Sequence, residues 1–217
     1  MVEKIRVSLW DIFSFFLTGF LAAILVAILV VIYSPATPKD FFNGLSALPT
    51  AITIVAAPLA LTLLGMVIEP FANYFDRYVS KFIFSWVLKP KDKHSDEEYI
   101  LEAEIRSRYL GSLNGKISNP YAICKEYVET KQLSTTFMVF LSRYGFYRNC
   151  AFLAVVSGFS VLALEKSWVI GGASLVVCLL AAAIFKRRAE DFYSYMAPAV
   201  YRAFLIDKLQ WVPRDGA

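Results

Sequence analysis

Long charge-free stretches dominate the pattern of hydrophobic and polar positions along this chain. The first runs from Ile12 to Pro38, with no charged side chain between Asp11 and Lys39. Its centre, 13–33, is long enough to cross a hydrocarbon core of about 30 Å at about 1.5 Å per residue. The apolar run of a secretory signal is shorter, about 7–15 residues, and no clear cleavage site follows here. The stretch therefore predicts a first transmembrane helix.

Three further apolar stretches predict three more membrane spans. The second has its membrane core at about 50–68 and contains Pro58, which removes a backbone donor and is expected to kink the helix. The third and fourth, at about 147–164 and 168–185, flank a predicted tight turn. We therefore expect an all-α polytopic membrane protein with four transmembrane helices.

The predicted domain organisation alternates membrane and cytosolic parts. A first transmembrane hairpin occupies 1–70, a cytosolic helical insertion 71–133, a second transmembrane hairpin 134–188, and a cytosolic C-terminal helix 189–217. The last region repeats an apolar face at four-residue spacing, which predicts a packed helix. The members of this face are Phe192, Met196, Val200 and Phe204. We expect the third and fourth helices to extend into the cytosol.

An amphipathic helix is predicted directly after the second span. Aromatic side chains share one face of this helix: Phe71, Tyr74, Phe75, Tyr78 and Phe82. This face either lies in the headgroup layer or packs on another helix of the assembly. Because Asp76 accompanies only two cations, Arg77 and Lys81, the helix is a weak candidate for binding anionic lipid. We therefore favour packing.

The distribution of positive charge predicts the orientation in the membrane. Of the 22 Lys and Arg residues, 20 fall at the N-terminus, in 77–148 or from Lys186 onward, whereas the other side holds only Lys39 and Lys166. The positive-inside rule then places both termini and the insertion in the cytosol. Since orientation accounts for the net charge of +4, we expect no direct binding to nucleic acid. Arg143 and Arg148, where the third span begins, are expected to snorkel towards the headgroups.

Few residues suggest chemistry. No span has an ionisable side chain near its middle, and hydroxyl groups there, such as Thr18 and Thr62, are expected to bond their own helix backbone. The three cysteines, at positions 124, 150 and 178, are far apart and His94 is the only histidine, which argues against a disulfide framework, a zinc site and His-based catalysis. Acidic residues over 96–104 are interpreted as a solvated helix face. We predict no catalytic residue, metal or cofactor, and therefore no enzyme.

Small residues recur every four positions on three of the predicted spans. They form three ridges: Gly19, Ala23 and Ala27; Ala154 and Gly158; and Ser174, Cys178 and Ala182. Such ridges let helices approach closely in lipid, where apolar burial gives no drive to associate. They serve either packing within the chain or association of copies. Because four helices offer limited surface, we favour a homo-oligomer.

Three segments carry a resemblance to a known family. They are SLWDIFSFFLTGFLAAILV near the start, RYGFYRNCAFL where the third span begins, and KRRAEDFYSYMAPAVYRAFL after the fourth. The layout resembles the membrane subunit of the Kiwa anti-phage defence system, and the likeness covers most of the chain in its order of elements. The resemblance implies a tetrameric homo-oligomer in the bacterial inner membrane, in contact with membrane lipids and with a cytosolic DNA-binding partner protein. It implies no catalytic residues.

Three functional classes remain, of which a lipid-modifying enzyme is disfavoured because acid–base groups are lacking. The first is a non-enzymatic sensor and scaffold that detects infection at the membrane and docks the cytosolic partner. The second is a small oligomeric pore-forming or membrane-disrupting defence effector, which would need polar faces on the spans. We favour the first. Three cations on the cytosolic helices are the candidate partner-binding residues: Arg106, Arg108 and Arg202.

Overall fold

The computed structural model describes residues 9–33, 50–85, 96–110, 117, 119–131 and 133–208. These residues are almost entirely helical, and none of them is in a strand. The helices are α1 Leu9–Tyr33, α2 Thr50–Tyr74, α3 Ser80–Phe84, α4 Asp96–Arg108, α5 Pro120–Lys131, α6 Thr135–Leu164 and α7 Trp168–Lys208, and a π-helical segment, Phe75–Val79, joins α2 to α3. Residues 34–49, 86–95 and 111–116, which include Lys39 and His94, and the end of the predicted C-terminal region at 209–217 lie outside the described residues.

Four helical stretches are long and apolar enough to cross a membrane, and they coincide with the four predicted spans. Their limits are Ile12–Tyr33, Ile54–Phe84, Thr135–Leu164 and Trp168–Lys208. Only a minority of the residues in each apolar window is fully buried inside the chain, as expected for helices whose outer surfaces meet lipid. The prediction of an all-α protein with four such helices is confirmed.

The last two helices are longer than a bilayer requires. At about 1.5 Å per residue, α6 is about 45 Å long and α7 about 60 Å, against a hydrocarbon core of about 30 Å. The predicted C-terminal helix beginning at 189 is therefore a continuation of α7. The helix continues because the basic triplet 186–188 and the residues after it include no helix breaker before Pro198.

The second span also continues beyond its predicted end at Ile68. The helix passes through Glu69 and Pro70, and then through the π-helical segment to Phe84. A proline inside a helix costs about 3 kcal/mol. Burial of a large apolar side chain returns about 1.5–3 kcal/mol, and both Phe75 and Phe84 are buried here. Tertiary packing therefore outweighs the local preference of Pro70 for a helix end.

The chain forms two compact units, each built from two separate pieces of sequence. Unit 1 comprises Met1–Lys89 and Ser142–Ala189, and unit 2 comprises Pro90–Leu141 and Glu190–Ala217. Helices α6 and α7 each contribute residues to both units. The predicted cytosolic insertion starts at 71, whereas residues 71–89 belong to unit 1 with the apolar helices.

In unit 1, glycines allow α1 and α2 to approach backbone to backbone. A Cβ atom on Gly19 would overlap the carbonyl group of Leu61, and one on Gly65 would overlap the carbonyl group of Phe15. Both clashes involve main-chain atoms, which cannot rotate away. Gly19 was a predicted packing position, whereas Gly65 was not part of any recognised ridge.

Helices α6 and α7 use two of the predicted small-residue ridges against each other. A Cβ atom on Gly158 would lie 2.8 Å from that of Cys178, and Ala182 is fully buried in an apolar cluster that Ala154 also contacts. Ala23, Ala27 and Ser174 are half-buried. Packing within the chain, the alternative left open above, thus accounts for Gly19, Gly158 and Ala182. Association of copies stays a prediction.

Unit 2 has its own apolar core. Its buried side chains come from all four contributing helices: Ile105, Cys124, Val128, Phe137, Met196, Val200, Tyr201 and Phe204. Phe204 makes edge-on ring contacts with Tyr109 and Tyr127, at centroid distances of 5.5 and 5.1 Å. The hydroxyl of Ser134 caps α6 by accepting a bond from the Phe137 amide, at 3.1 Å. The predicted apolar face of the C-terminal region is confirmed as a packing face.

The glycine contact between α1 and α2 predicts a stability difference between two Gly→Ala substitutions. Gly65→Ala should lower the free energy of unfolding in detergent micelles by about 1–3 kcal/mol, because the added methyl group meets a fixed carbonyl group. Gly145→Ala, inside α6, is the matched control, since nothing lies within 4 Å of its Cβ position. It should be neutral or stabilising by up to about 1 kcal/mol. Equal effects at both positions would contradict the close approach.

Candidate functional site

A buried arginine and a glutamate pair inside unit 1. The Arg148 Nη2 atom donates to Glu69 Oε1 at 3.2 Å, and the guanidinium carbon lies 5.4 Å from the centre of the Tyr144 ring. Arg148 is only 7% exposed. The expectation that it snorkels outwards is therefore wrong, because a carboxylate and an aromatic face inside the bundle provide partners for its charge. Arg143, by contrast, is exposed.

A second ion pair joins the extended second helix to α7. The Lys186 Nζ atom lies 2.5 Å from Asp76 Oδ1, and the Tyr144 hydroxyl donates to Asp76 Oδ2 at 3.3 Å. Both charged side chains are mostly buried. Lys186 is the first of three consecutive basic residues after the predicted fourth span. In the structure it also neutralises an acid from another helix.

Uncharged polar groups extend this network to α1. The Asn149 side-chain amide donates to Thr18 Oγ1 at 3.4 Å, and Ser14 Oγ donates to the Ser142 carbonyl oxygen at 3.3 Å. Thr18 was expected to bond its own helix and instead bonds α6. Thr62 behaves as expected, since its hydroxyl donates to the Pro58 carbonyl oxygen at 2.8 Å. We refer to the connected residues as the polar cluster: Thr18, Glu69, Asp76, Tyr144, Arg148, Asn149 and Lys186.

The polar cluster lies near one end of the apolar helices. By helix rise, Arg148 and Lys186 are about 24 and 27 Å from the ends of α6 and α7 that meet at the turn after Leu164. Beside that turn, the Tyr33 hydroxyl donates to Glu165 Oε2 at 3.1 Å. Unit 1 thus has polar contacts at two levels separated by about 25 Å, close to the thickness of a bilayer core. The polar cluster and the contact at the turn therefore lie near opposite ends of the apolar part of α6 and α7.

The polar cluster combines two acids and two cations, so it is electrically neutral when all four are ionised. Its hydrogen bonding is incomplete, because Arg148 Nε is buried without a partner in the described part of the chain. A buried donor of this kind is typical of a site that accepts water or a further ligand. The arrangement links α1, the extended second helix, α6 and α7.

Sequence reasoning missed the polar cluster because its members were each explained locally. Arg148 was interpreted as a snorkelling residue, and Glu69 and Lys186 each directly follow the end of a predicted span. One signal was present: the acids Glu69 and Asp76 are seven residues apart on one helix, and the two cations lie at similar distances from the turn between the last two spans. Matching charges at one membrane depth favours pairing.

Unit 2 contains an open groove of about 1020 Å³. Its wall combines acidic, aromatic and apolar groups from α4, from the beginning of α6 and from α7. They include Asp96, Glu97, Phe140, Tyr195, Pro198, Arg202, Ile206 and Asp207. Asp207 also accepts bonds from the Tyr127 hydroxyl at 2.6 Å and from Lys131 at 2.9 Å. These contacts fix the end of α7 against α5.

The three predicted partner-binding cations all have partners within the chain. Arg106 pairs with Glu102 at 2.7 Å and donates to the Ile117 carbonyl oxygen, so it has a clear structural role. Arg108 pairs with Glu104, and Arg202 donates from Nε to Glu97 at 2.6 Å. Of the three, only Arg202 lines the groove. Partner binding by these three residues stays a prediction.

Groups that could support catalysis are few in the residues that the structure describes. Within those ranges, no cluster of three or more His, Cys, Asp and Glu side chains is arranged to hold a metal ion. Burial, assisted by the nearby charge of Glu102, raises the pKa of the Cys124 thiol to about 11. This thiol is therefore protonated at neutral pH and is a poor nucleophile.

No protein-family model, curated protein or solved structure matches this chain at a significant level. Its class is therefore defined by its own helices. It is an all-helical protein with four helices long and apolar enough to span a membrane, and it carries a second helical unit with a separate core.

The buried pair of Asp76 and Lys186 predicts strongly non-additive substitutions. Asp76→Asn should lower the free energy of unfolding in micelles by about 3–5 kcal/mol, because it leaves the Lys186 charge buried without an acid. Adding Lys186→Met should recover most of that loss. As a control, Glu104→Gln at the exposed pair with Arg108 should cost less than about 1 kcal/mol. Additive effects of the two substitutions would show that the pair is not coupled.

Proposed function

We propose that this protein is a non-enzymatic membrane sensor and scaffold that holds a soluble partner at the membrane. One observation carries the proposal: α6 and α7 each contribute to both units, so a helical unit with its own core is covalently continuous with membrane helices. A protein that only needs an anchor requires about 20 apolar residues. Two helices of about 45 and 60 Å favour a role in which a conformational change in the membrane helices alters the conformation of unit 2.

The groove of unit 2 is the proposed docking site for the partner. Its volume is at the upper limit of pockets for small ligands, and its mixed acidic, aromatic and apolar wall suits a protein segment. Arg202 and Glu97 lie at this wall as an exposed ion pair, which a partner could rearrange at little cost. The site is thus accessible without disruption of the apolar core.

The biological setting of the proposal comes from the resemblance to the Kiwa membrane subunit. It places the protein in the inner membrane of a bacterium as a homo-oligomer, proposed to be a tetramer. It makes the partner a cytosolic DNA-binding protein that acts on phage DNA after the membrane part has detected infection. The segment over 186–205, which carries part of the resemblance, supplies much of the groove wall.

The orientation that this function requires has both termini in the cytosol. Green fluorescent protein fused after Ala217 should fluoresce in a bacterial host, and alkaline phosphatase fused there should be inactive. The opposite pattern is expected for reporters inserted after Lys39, because 20 of the 22 Lys and Arg residues lie on the proposed inner side. An active phosphatase after Ala217 would reverse the assignment and remove a cytosolic partner from consideration.

Partner capture tests the scaffold directly. Full-length tagged protein, purified gently from cells that express its native gene neighbours, should retain a soluble DNA-binding protein in stoichiometric amount. Arg202→Glu should reduce that capture about tenfold or more, because it places an acid beside Glu97 in the groove wall.

A charge swap separates docking from folding in this experiment. The double variant Glu97→Arg with Arg202→Glu restores the ion pair inside the chain but reverses the charges that a partner meets. It should remain deficient in capture. Arg108→Glu, which lies outside the groove, is the control and should capture normally. Full capture by the swapped variant would exclude this ion pair from the docking surface.

The pore alternative receives less support from the described spans. Their exposed side chains are overwhelmingly apolar, including Val176, Val177 and Leu180 on α7 and Leu59 and Leu63 on α2. A water-filled channel between copies would need polar groups on such faces or an apolar gate opened by dewetting. Purified protein in liposomes is therefore expected to conduct no ions, and substantial ion flux would favour the pore.

A further inference from the structure

A row of aromatic side chains is exposed on the extended second helix. The row consists of Phe71, Tyr74, Tyr78 and Phe82, and we call it the aromatic face. Tyr74 and Tyr78 contact each other at a centroid distance of 4.8 Å, and Phe82 is 86% exposed. Phe75, grouped with these residues in the sequence, is instead buried against Phe152 at 5.7 Å. Four of the five residues of the predicted aromatic face are therefore exposed on the outside of unit 1.

The outward direction of the aromatic face follows from a repeat on the opposite side. Ala72, Asp76, Ser80 and Phe84 recur every four residues, and all four side chains are buried or mostly buried. An α-helix has 3.6 residues per turn, so a four-residue repeat would drift around it. The π-helical segment Phe75–Val79 has wider turns, and it keeps the repeat on the buried side. Because these four residues are packed inside unit 1, the aromatic side chains on the opposite side of the helix point outwards.

The exposed surface of this helix is more positively charged than its sequence suggests. The sequence places Asp76 beside Arg77 and Lys81, which weakens any attraction to anions. In the structure, however, Asp76 is withdrawn into the polar cluster, where Lys186 and Tyr144 contact it. Arg77 and Lys81 remain exposed, and the Arg77 guanidinium lies 5.5 Å from the centre of the Tyr78 ring. The outer surface is thus aromatic and cationic.

We propose that the aromatic face, together with Arg77 and Lys81, binds the headgroups of anionic phospholipids at one edge of the bilayer. The ion pair to Lys186 places Asp76 about 27 Å from the opposite end of the apolar helices, at the boundary of the hydrocarbon core. Tyrosines are enriched at this boundary, because their rings enter the apolar layer while their hydroxyl groups reach phosphate and water. The two cations complement the phosphate charge.

A second copy of the chain fits this surface less well. A symmetric contact between two aromatic faces would bring Arg77 and Lys81 close to the same cations of the second copy, without the acid that each chain keeps inside. Lipid phosphates supply the missing negative charge. Lipid is therefore the occupant that we propose for this surface, and the experiments below distinguish lipid from a second copy.

Lipid selection in mixed micelles tests the proposal. The full chain is equilibrated with equal amounts of phosphatidylglycerol and phosphatidylcholine, washed, and its retained lipid is quantified by mass spectrometry. Wild-type protein should retain several times more phosphatidylglycerol than phosphatidylcholine. Each cation at an anionic surface is worth about a fivefold change in affinity, so Arg77→Gln with Lys81→Gln should bring the ratio close to one.

A matched variant controls for general electrostatics. Arg108→Gln with Lys208→Gln removes two exposed cations from unit 2, outside the aromatic face, and should leave the lipid ratio nearly unchanged. Both double variants must elute as the same species as the wild type, which shows that they fold. An unchanged ratio in the Arg77 and Lys81 variant, or an equal loss in the control, would overturn the assignment to this surface.

Photo-crosslinking identifies the occupant without relying on charge. The substitution Tyr78→p-benzoylphenylalanine keeps an aromatic ring on the aromatic face, and the full chain is irradiated in vesicles of the same two lipids. A crosslink to phospholipid, with preference for phosphatidylglycerol, is the expected result. A crosslink chiefly to a second copy of the chain would overturn the proposal and assign the aromatic face to association of copies.

Discussion

A charge inside an apolar helix bundle must be paired, and the contact between Lys186 and Asp76 is where this chain meets that requirement most fully. The pair ties α7 to the π-helical segment that follows α2. It thereby keeps one helix continuous past Pro70 and sets which of its sides is covered. The neighbouring pair of Arg148 and Glu69 extends the same restraint to α6. Three helical elements are positioned by two neutral ion pairs.

Different interactions stabilise the interior of each unit. In unit 1, helices approach backbone to backbone at Gly19 and Gly65, and polar contacts such as Asn149 with Thr18 join α1 to α6. These are the interactions that give specificity to helices in lipid, where apolar burial gives no drive to associate. In unit 2, burial of aromatic and aliphatic side chains around Phe204 suffices. Because α6 and α7 each contribute to both units, each helix takes part in both kinds of packing, in different parts of its length.

Local patterns in the sequence were sufficient for the spans and for the packing face of the C-terminal region. Charge-free runs located all four apolar helices, and four-residue spacing identified Met196, Val200 and Phe204 as buried. Local patterns were not sufficient for Arg148 or Lys186, because their partners lie 79 and 110 residues away in the chain. The same reason explains the helix through Pro70. Its continuation depends on contacts with α6 and α7 that no window of sequence contains. The candidate site was therefore recognisable only as isolated charges.

The interleaving of the two units has a consequence for biosynthesis. Neither unit is contiguous in the sequence: unit 2 receives its first piece from 90–141 and its second only after residue 189. During synthesis, Ile105 on α4 and Val128 on α5 stay uncovered until the C-terminal part of α7 has been made. A chain truncated shortly after residue 189 would contain all of unit 1 but only the first piece of unit 2, with Ile105 and Val128 left uncovered.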